Sequence, residues 1–396
     1  MESRMKKIFL VAGARPNFMK IAPILRAMNK FPHEIQPILI HTGQHYDQKM
    51  SDTFFNSLGI KKPEYNLEVG SGSHAEQTAS IMVKFEEVCL SENPDMVLVV
   101  GDVNSTIAAG LVAKKLHVTL CHVEAGLRSG DRDMPEEINR LATDAITDLF
   151  FTTEPEGTKN LLKEGQKTEC VHFVGHVMID NLYYQLKRLE TLADILVSQK
   201  VKELKKSLPN KYLCMTMHRP SNVDDKEVLT SLLKAINEVA SEAPVIFPCH
   251  PRTRKNIERF GLLHLFYGSL QGKSKISSGI ILSEPLGYND FLYLWKDAAG
   301  VLTDSGGLQE ETTALKVPCI TMRTSTERPV TAEIGSNEVV GIDRERIISL
   351  AQRMLAGNWK ESRIPDLWDG KASERIVEIL LALQPVRIFD QTAIGV

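Results

Sequence analysis

The amino-acid sequence predicts an α/β protein made of two successive doubly wound halves. Three observations carry that expectation. Short continuous apolar runs recur along the chain, helically spaced segments or loops separate them, and the alternation restarts after "SLPNK". Apolar runs without polar alternation are strands buried on both faces, and intervening helices supply the crossovers of a parallel sheet. A length of 396 residues also exceeds what one compact core usually serves.

Taken in order, "KKIFLVAG" is the first strand, and "PNFMKIAPILRAMNKF" follows as a helix with Met19, Ile21, Ile24, Leu25 and Met28 on one face. "IQPILIHTG", "DMVLVVGD", "HVTLCHVEAG", "DLFFTTEP" and "CVHFVGH" are the next strands, with helices such as "SHAEQTASIMVKFEEVCL" and "NSTIAAGLVAKKL" between them. After "VGHVMIDNLYYQLKRLE" a polar, Lys-rich helical stretch runs to Lys206, and "SLPNK" marks the junction. The second half offers "KYLCMTMHRP", "APVIFPCHP", "GIILSEP", "AGVLTDSGG", "VPCITMR" and "NEVVGI". "DGKASERIVEILLAL" is a final amphipathic helix, and the tail after Gln384 is expected to be loosely ordered.

Bulk properties exclude several classes. An apolar fraction of 43% with 24% charged residues is that of a globular chain. A net charge of -3 favours neither nucleic acid nor a membrane surface, so any bound anion must be held by local groups. Cys89, Cys121, Cys170, Cys214, Cys249 and Cys319 lie far apart without a CxxC pair, which fits a reduced cytosolic interior better than a disulfide framework or zinc site. "MESRMKKIFLVAG" begins like a signal peptide, but its apolar run is short and enters an Arg-Pro turn. No stretch approaches the roughly 18 apolar residues needed to span a bilayer.

Ligands of open α/β sheets sit beyond the carboxyl ends of the strands, so chemistry is expected at those ends. "VAGARPNFMK" is not a GxGxxG fingerprint; Arg15 follows a glycine turn and Lys20 lies one turn into the helix, both suited to a nucleotide's base or phosphates. The plain alternative is a surface turn with a solvated lysine. "GDVNST" places Asp102 at a loop mouth, where it serves either chemistry or helix capping. "HVEAGLRSGDRDMPEEINR" (122–140) packs eight charged side chains into nineteen positions behind a buried strand. Pro135 suits a first helical turn, and Glu136 with Arg140 make an i,i+4 pair worth about 0.3–0.5 kcal/mol; that pair leaves Glu124 unexplained.

In the second half "TMHRP" puts His218 at a strand end, a packing residue unless a ligand binds there. In "VLTDSGGLQEE", Ser305, Gly306 and Gly307 open a helix whose N–H groups suit an anion. Glu310 and Glu311 are expected in its first turn. There they would repel a phosphate, unless the diphosphate sits at the glycines and a glutamate reaches on to a ribose hydroxyl. "MRTSTERP" adds Arg323, Glu327 and Arg328. HExxH, GKS/T and GxSxG motifs are missing, so zinc hydrolase, kinase and esterase readings fall away.

As an ordered set, "GARPNFMKIAP", "TGQHYD", "VGDVNST", "HVEAGLRS…MPEEINR", "MHRPSN" and "LTDSGGLQEE…ERP" resemble the non-hydrolysing UDP-N-acetylglucosamine 2-epimerases, over nearly the whole chain. The resemblance implies the glycosyltransferase-B architecture: two Rossmann-like domains facing across a cleft, the last helix crossing back to the first. The expected domains are 1–180 completed by 370–396 (sugar and acid/base residues) and 181–369 (UDP binding). It further implies a cytoplasmic homodimer serving polysaccharide biosynthesis, with a UDP-sugar substrate and no NAD or essential metal. Inversion at C2 would proceed by anti elimination of UDP to 2-acetamidoglucal and re-addition. Asp102, Glu124 and Glu136 become acid/base candidates with Lys20 and Arg140 as electrostatic partners. His218, Arg15, Ser305, Gly306, Gly307, Glu311 and Arg328 would hold the nucleotide, with Phe291 near the uracil.

Three stretches depart from the common bacterial pattern. "ARPN" stands for "TRPE", "HRPSNVDD" replaces "HRRE", and "GSGSHAEQT" lacks an arginine that in some relatives belongs to an allosteric site. The last argues against activation by substrate, although Gln44 and His45 remain from that region. "TGQHYD" and "GSGSH" resemble a branch that includes archaeal enzymes and epimerases of UDP-2,3-diacetamido-glucuronate. Three rivals stay open: a hydrolysing epimerase releasing free N-acetylmannosamine, a glycosyltransferase requiring an acceptor, and a catalytically inert UDP-sugar sensor.

Overall fold

A computed structural model describes residues 4–43, 52–266 and 275–383; Gln44, His45 and the tail from Gln384 onward lie outside the described residues. Two compact units emerge: Met1–Tyr184 with Asp366–Val396, and Gln185–Pro365. The Lys-rich stretch before "SLPNK" therefore lies wholly in the second unit, and the chain changes unit inside the helix Val177–Leu196. Composition marks that stretch because it is solvated, whereas the division follows contacts.

The first unit holds a parallel sheet of β1 (Lys6–Ala12), β2 (Ile35–His41), β3 (Tyr65–Asn66), β4 (Met96–Val100), β5 (Thr119–Val123), β6 (Leu149–Thr152) and β7 (Val171–Phe173). Their spatial order is β3-β2-β1-β4-β5-β6-β7. All five residues of β4 are buried, as expected of a strand covered by helices on both faces. β3, two residues at the sheet edge, carried no apolar run and was not expected. The second unit holds β8 (Leu213–Thr216), β9 (Val245–Pro248), β10 (Ile280–Ser283), β11 (Gly300–Thr303), β12 (Cys319–Thr321) and β13 (Asn337–Val339), in the order β10-β9-β8-β11-β12-β13. Both are Rossmann-like orders, each reversing direction next to its first strand.

The final helix, Ala372–Ala382, packs on Arg15–Met28 of the first unit. Ile376, Val377 and Leu380 are fully buried in the core that contains Phe18, Ile21 and Leu25. Asp180 accepts the N–H groups of Ala372 at 3.1 Å and Ser373 at 2.6 Å. At the other end Lys6 Nζ donates to the carbonyls of Leu380 (2.8 Å) and Leu381 (2.7 Å). A carboxylate at the helix start and a cation at its end both suit the helix dipole. Among the described residues, no helix is long and apolar enough to cross a membrane.

Candidate active site

In the first unit, strand order reverses between β1 and β4, which leaves a crevice at their carboxyl ends. Arg15–Met28 follows β1, Gly101 and Asp102 follow β4, and Glu124 follows β5. Lys20 forms an ion pair with the Glu124 carboxylate, which is 3% exposed. Glu124 takes φ +68°, a left-handed conformation that costs a non-glycine residue about 1–3 kcal/mol. Gly101, at φ +71°, packs next to the pair: a Cβ there would stand 3.5 Å from Lys20 Nζ and 3.6 Å from Glu124 Oε2. Asn17 holds the helix start against β4, accepting from the Ala14 N–H at 3.0 Å and donating to the Val100 carbonyl at 3.3 Å.

A second ion pair lies beside the first. Arg140 Nη2 meets Asp102 Oδ2 at 2.6 Å, and its Nη1 donates to Glu137 Oε2 at 2.7 Å. Burial opposes the charge on Arg140, but Asp102 and Glu137 outweigh it and raise its pKa. The expected i,i+4 partner is thus replaced by the i,i+3 one. Glu137 is buried and also accepts the N–H groups of Ser129 (3.0 Å) and Gly130 (3.1 Å). Burial raises the Glu137 pKa, but these bonds and the one from Arg140 outweigh it and lower it overall. Glu136 is exposed in the first turn of Pro135–Ile146. A helix turns about 100° per residue, so neighbouring glutamates face differently, and spacing alone did not tell which one faces inward. Arg15 is exposed, its guanidinium 4.7 Å from the centroid of Phe54.

In the second unit the reversal lies between β8 and β11. His218 follows β8, and Asp304 follows β11 fully buried. Asp304 accepts the backbone N–H of His218 at 2.9 Å and of Arg219 at 2.8 Å, and sits 3.0 Å from His218 Nδ1. Burial pushes the Asp304 carboxyl up, but His218 and these N–H groups overcome it and lower its pKa. Nδ1 is occupied by this carboxylate, which leaves Nε2 as the nitrogen to meet a ligand. Ser305 is the N-cap of the helix Gly306–Ala314, and a Cβ on Gly307 would meet nothing within 4 Å. Free N–H groups at such an opening suit an anion.

Glu310 and Glu311 lie in the second turn, not the first, because the helix begins at Gly306. Both are buried; Arg328 pairs with Glu310 and is itself 8% exposed. Arg328 is therefore seated on a carboxylate inside the unit instead of extending as an open cation, so Glu310 does not repel an anion at the helix start. Glu311 accepts from the Tyr288 hydroxyl at 2.6 Å, and burial pushes its pKa up to about 8. Tyr288 and half-buried Phe291 stand three residues apart on the helix Tyr288–Trp295, one face of one turn.

Several contributors had escaped sequence reasoning. Glu137, Asn17, Asp304 and Tyr288 bond to the candidate residues or their strand ends, and a buried pair, His122 with Asp144, lies behind the first-unit loops. The available signal was polarity inside apolar strands and on the inner face of an amphipathic helix. Among the described residues, no cluster of three or more His, Cys, Asp or Glu side chains is arranged to hold a metal.

The model of the family described as UDP-N-acetylglucosamine 2-epimerase matches residues 26–381. A UDP-N-acetylglucosamine 2-epimerase of Methanocaldococcus jannaschii is 42% identical over 380 residues, 94% of this chain and 98% of its own. The UDP-2,3-diacetamido-2,3-dideoxy-D-glucuronate 2-epimerase of Pseudomonas aeruginosa is 39% identical, covering 95% and 100%. The crystal structure of the Methanocaldococcus jannaschii enzyme in complex with UDP-GlcNAc and UDP superposes with a TM-score of 0.78 over 94% of this chain and 99% of that one.

Proposed function

The chain belongs to the non-hydrolysing UDP-N-acetylglucosamine 2-epimerase family, and on that premise we propose that it interconverts UDP-N-acetylglucosamine and UDP-N-acetylmannosamine, or a closely related UDP-2-acetamido sugar pair, by elimination and re-addition of UDP. The observation that carries this reading is the pairing of Glu124 with Lys20 and of Asp102 with Arg140 at one strand reversal. The C2 hydrogen is not beside a carbonyl, so C1–O cleavage leads and leaves oxocarbenium character on the ring. Carboxylates stabilise that cation and accept the C2 proton, while the C1–C2 double bond of 2-acetamidoglucal forms and UDP departs with the C1–O electron pair. A proton returned to C2 from the opposite face, with re-addition of the UDP oxygen to C1, completes the inversion.

Two faces require two proton-transfer groups, drawn from Asp102, Glu124 and Glu136. Lys20 and Arg140 pair with two of these carboxylates, Glu124 and Asp102. UDP is assigned to the second unit: diphosphate at Ser305, Gly306 and Gly307 with His218, ribose at Glu311, uracil near Phe291, and Arg328 supporting through Glu310. The Pseudomonas aeruginosa relative favours testing a 2,3-diacetamido-glucuronate substrate beside UDP-N-acetylglucosamine. The enzyme is assigned to the cytoplasm as a homodimer, on the strength of the family resemblance; sedimentation velocity tests the dimer. Incubation with UDP-N-acetylglucosamine in D2O, followed by NMR, tests the reaction. Deuterium at C2 of a UDP-linked product is expected, and free N-acetylmannosamine or a demand for an acceptor would defeat it.

A further inference from the structure

His122 is fully buried on β5, two residues before Glu124, and no step above uses it. Its Nδ1 lies 2.7 Å from Asp144 Oδ1 and its Nε2 lies 2.8 Å from the carbonyl oxygen of Gly101. A carboxylate and a carbonyl both accept, so both ring nitrogens donate and the imidazole is a cation. The other Asp144 oxygen accepts the Gly126 N–H at 3.0 Å and sits 2.8 Å from Arg128 Nη1. One buried pair thus grips the residue before Asp102 and a residue just after Glu124. Those two strand ends are joined directly as well, the Gly101 N–H donating to the Val123 carbonyl at 3.1 Å.

We propose that His122 and Asp144 are positioning residues for the epimerisation: a buried imidazolium–carboxylate pair that fixes the spacing and direction of the Asp102 and Glu124 strand ends. The proposal rests on the reading that Asp102 and Glu124 handle the C2 proton. A lone hydrogen bond would not require the charge. A buried carboxylate facing both a guanidinium and an imidazolium, however, keeps its two oxygens aimed in two fixed directions. The charged groups facing the ring are Asp144 from the helix Pro135–Ile146 and Glu124 at the end of its own strand, with Arg128 and Glu164 joined through Asp144. Glu124 stands in a left-handed conformation, which persists only where its surroundings over-determine it.

Nitrogen-15 NMR of the histidine-labelled full chain tests the charge state without reference to activity. At a pH just above the ordinary imidazole value of about 6.5, one buried histidine is expected with both nitrogens protonated, and Asp144→Asn is expected to abolish that signature. A neutral tautomer in the unmodified protein overturns the proposal, even if the variants fail to fold. Kinetically, His122→Gln is expected to lower kcat about 10²-fold, the scale of a misplaced catalytic group, while KM and UDP affinity stay within about twofold. An unchanged kcat, or a loss confined to KM, also overturns it. Undiminished C2 deuterium exchange in both Asp102→Asn and Glu124→Gln would instead sink the functional reading, whatever the NMR result.

Discussion

Glu124 is held in a conformation costly for a side-chain-bearing residue and is buried against Lys20. A stabilising surface ion pair would need neither, so the arrangement points to a carboxylate placed for chemistry. Glu124→Gln keeps the shape and removes the proposed base: turnover should fall by about 10²–10⁴-fold, with UDP binding retained by calorimetry. Normal turnover would remove Glu124 from the chemical step. Asp304 plays the matching part in the second unit, orienting His218 through Nδ1 and two backbone N–H groups. Asp304→Asn should weaken UDP binding by about 10–100-fold, the usual scale for losing a supporting hydrogen-bond partner. Isothermal titration with UDP reads that directly. Burial makes the thiol of Cys319 a poor nucleophile, its pKa pushed up to about 12, and a thiol step is not needed.

At the level of elements, the sites arise where adjacent parallel strands send their helices to opposite faces. β5 and the helix Pro135–Ile146 are tied by His122 and Asp144, and that tie has a pH signature. Burial lowers the His122 pKa, but Asp144, the Gly101 carbonyl and Glu124 outweigh it and leave it above the ordinary 6.5. Burial raises the Asp144 pKa, but His122 and Arg128 outweigh it and leave it below the ordinary 3.8. A raised histidine contributes stability fully below its unfolded value and loses it as pH climbs through the folded one. A depressed carboxylate contributes above its unfolded value and loses it as pH falls through the folded one. The pair should therefore stabilise fully between those ordinary values and fade on the alkaline side. Thermal melting across pH should show the difference between unmodified protein and His122→Gln shrinking as pH rises above neutrality; a constant difference would contradict the charged pair.

At the scale of the molecule, the chain returns to its first unit for the helix Ala372–Ala382. Ile376, Val377 and Leu380 are fully buried there, each worth about 1.5–3 kcal/mol. Their sum is comparable to the whole stability of a typical domain, about 5–15 kcal/mol. A chain ending at Pro365 should therefore lose the melting transition of the first unit by calorimetry while the second unit's remains. Survival of both transitions would show that the helix is dispensable.

Among the described residues, apolar runs and helical spacing sufficed to find twelve of the thirteen strands, because burying a parallel strand on both faces writes itself into consecutive residues. Motif order likewise located the strand ends that hold Asp102, Glu124, His218 and Ser305. Tertiary structure alone decided which charges meet. It chose Glu137 over Glu136 for Arg140, seated Arg328 on Glu310, and hid His122 with Asp144 behind the first-unit loops. Partner choice depends on side-chain direction and on contacts between residues far apart in the chain, as with Lys20 and Glu124. Local spacing carries the first only coarsely and the second not at all.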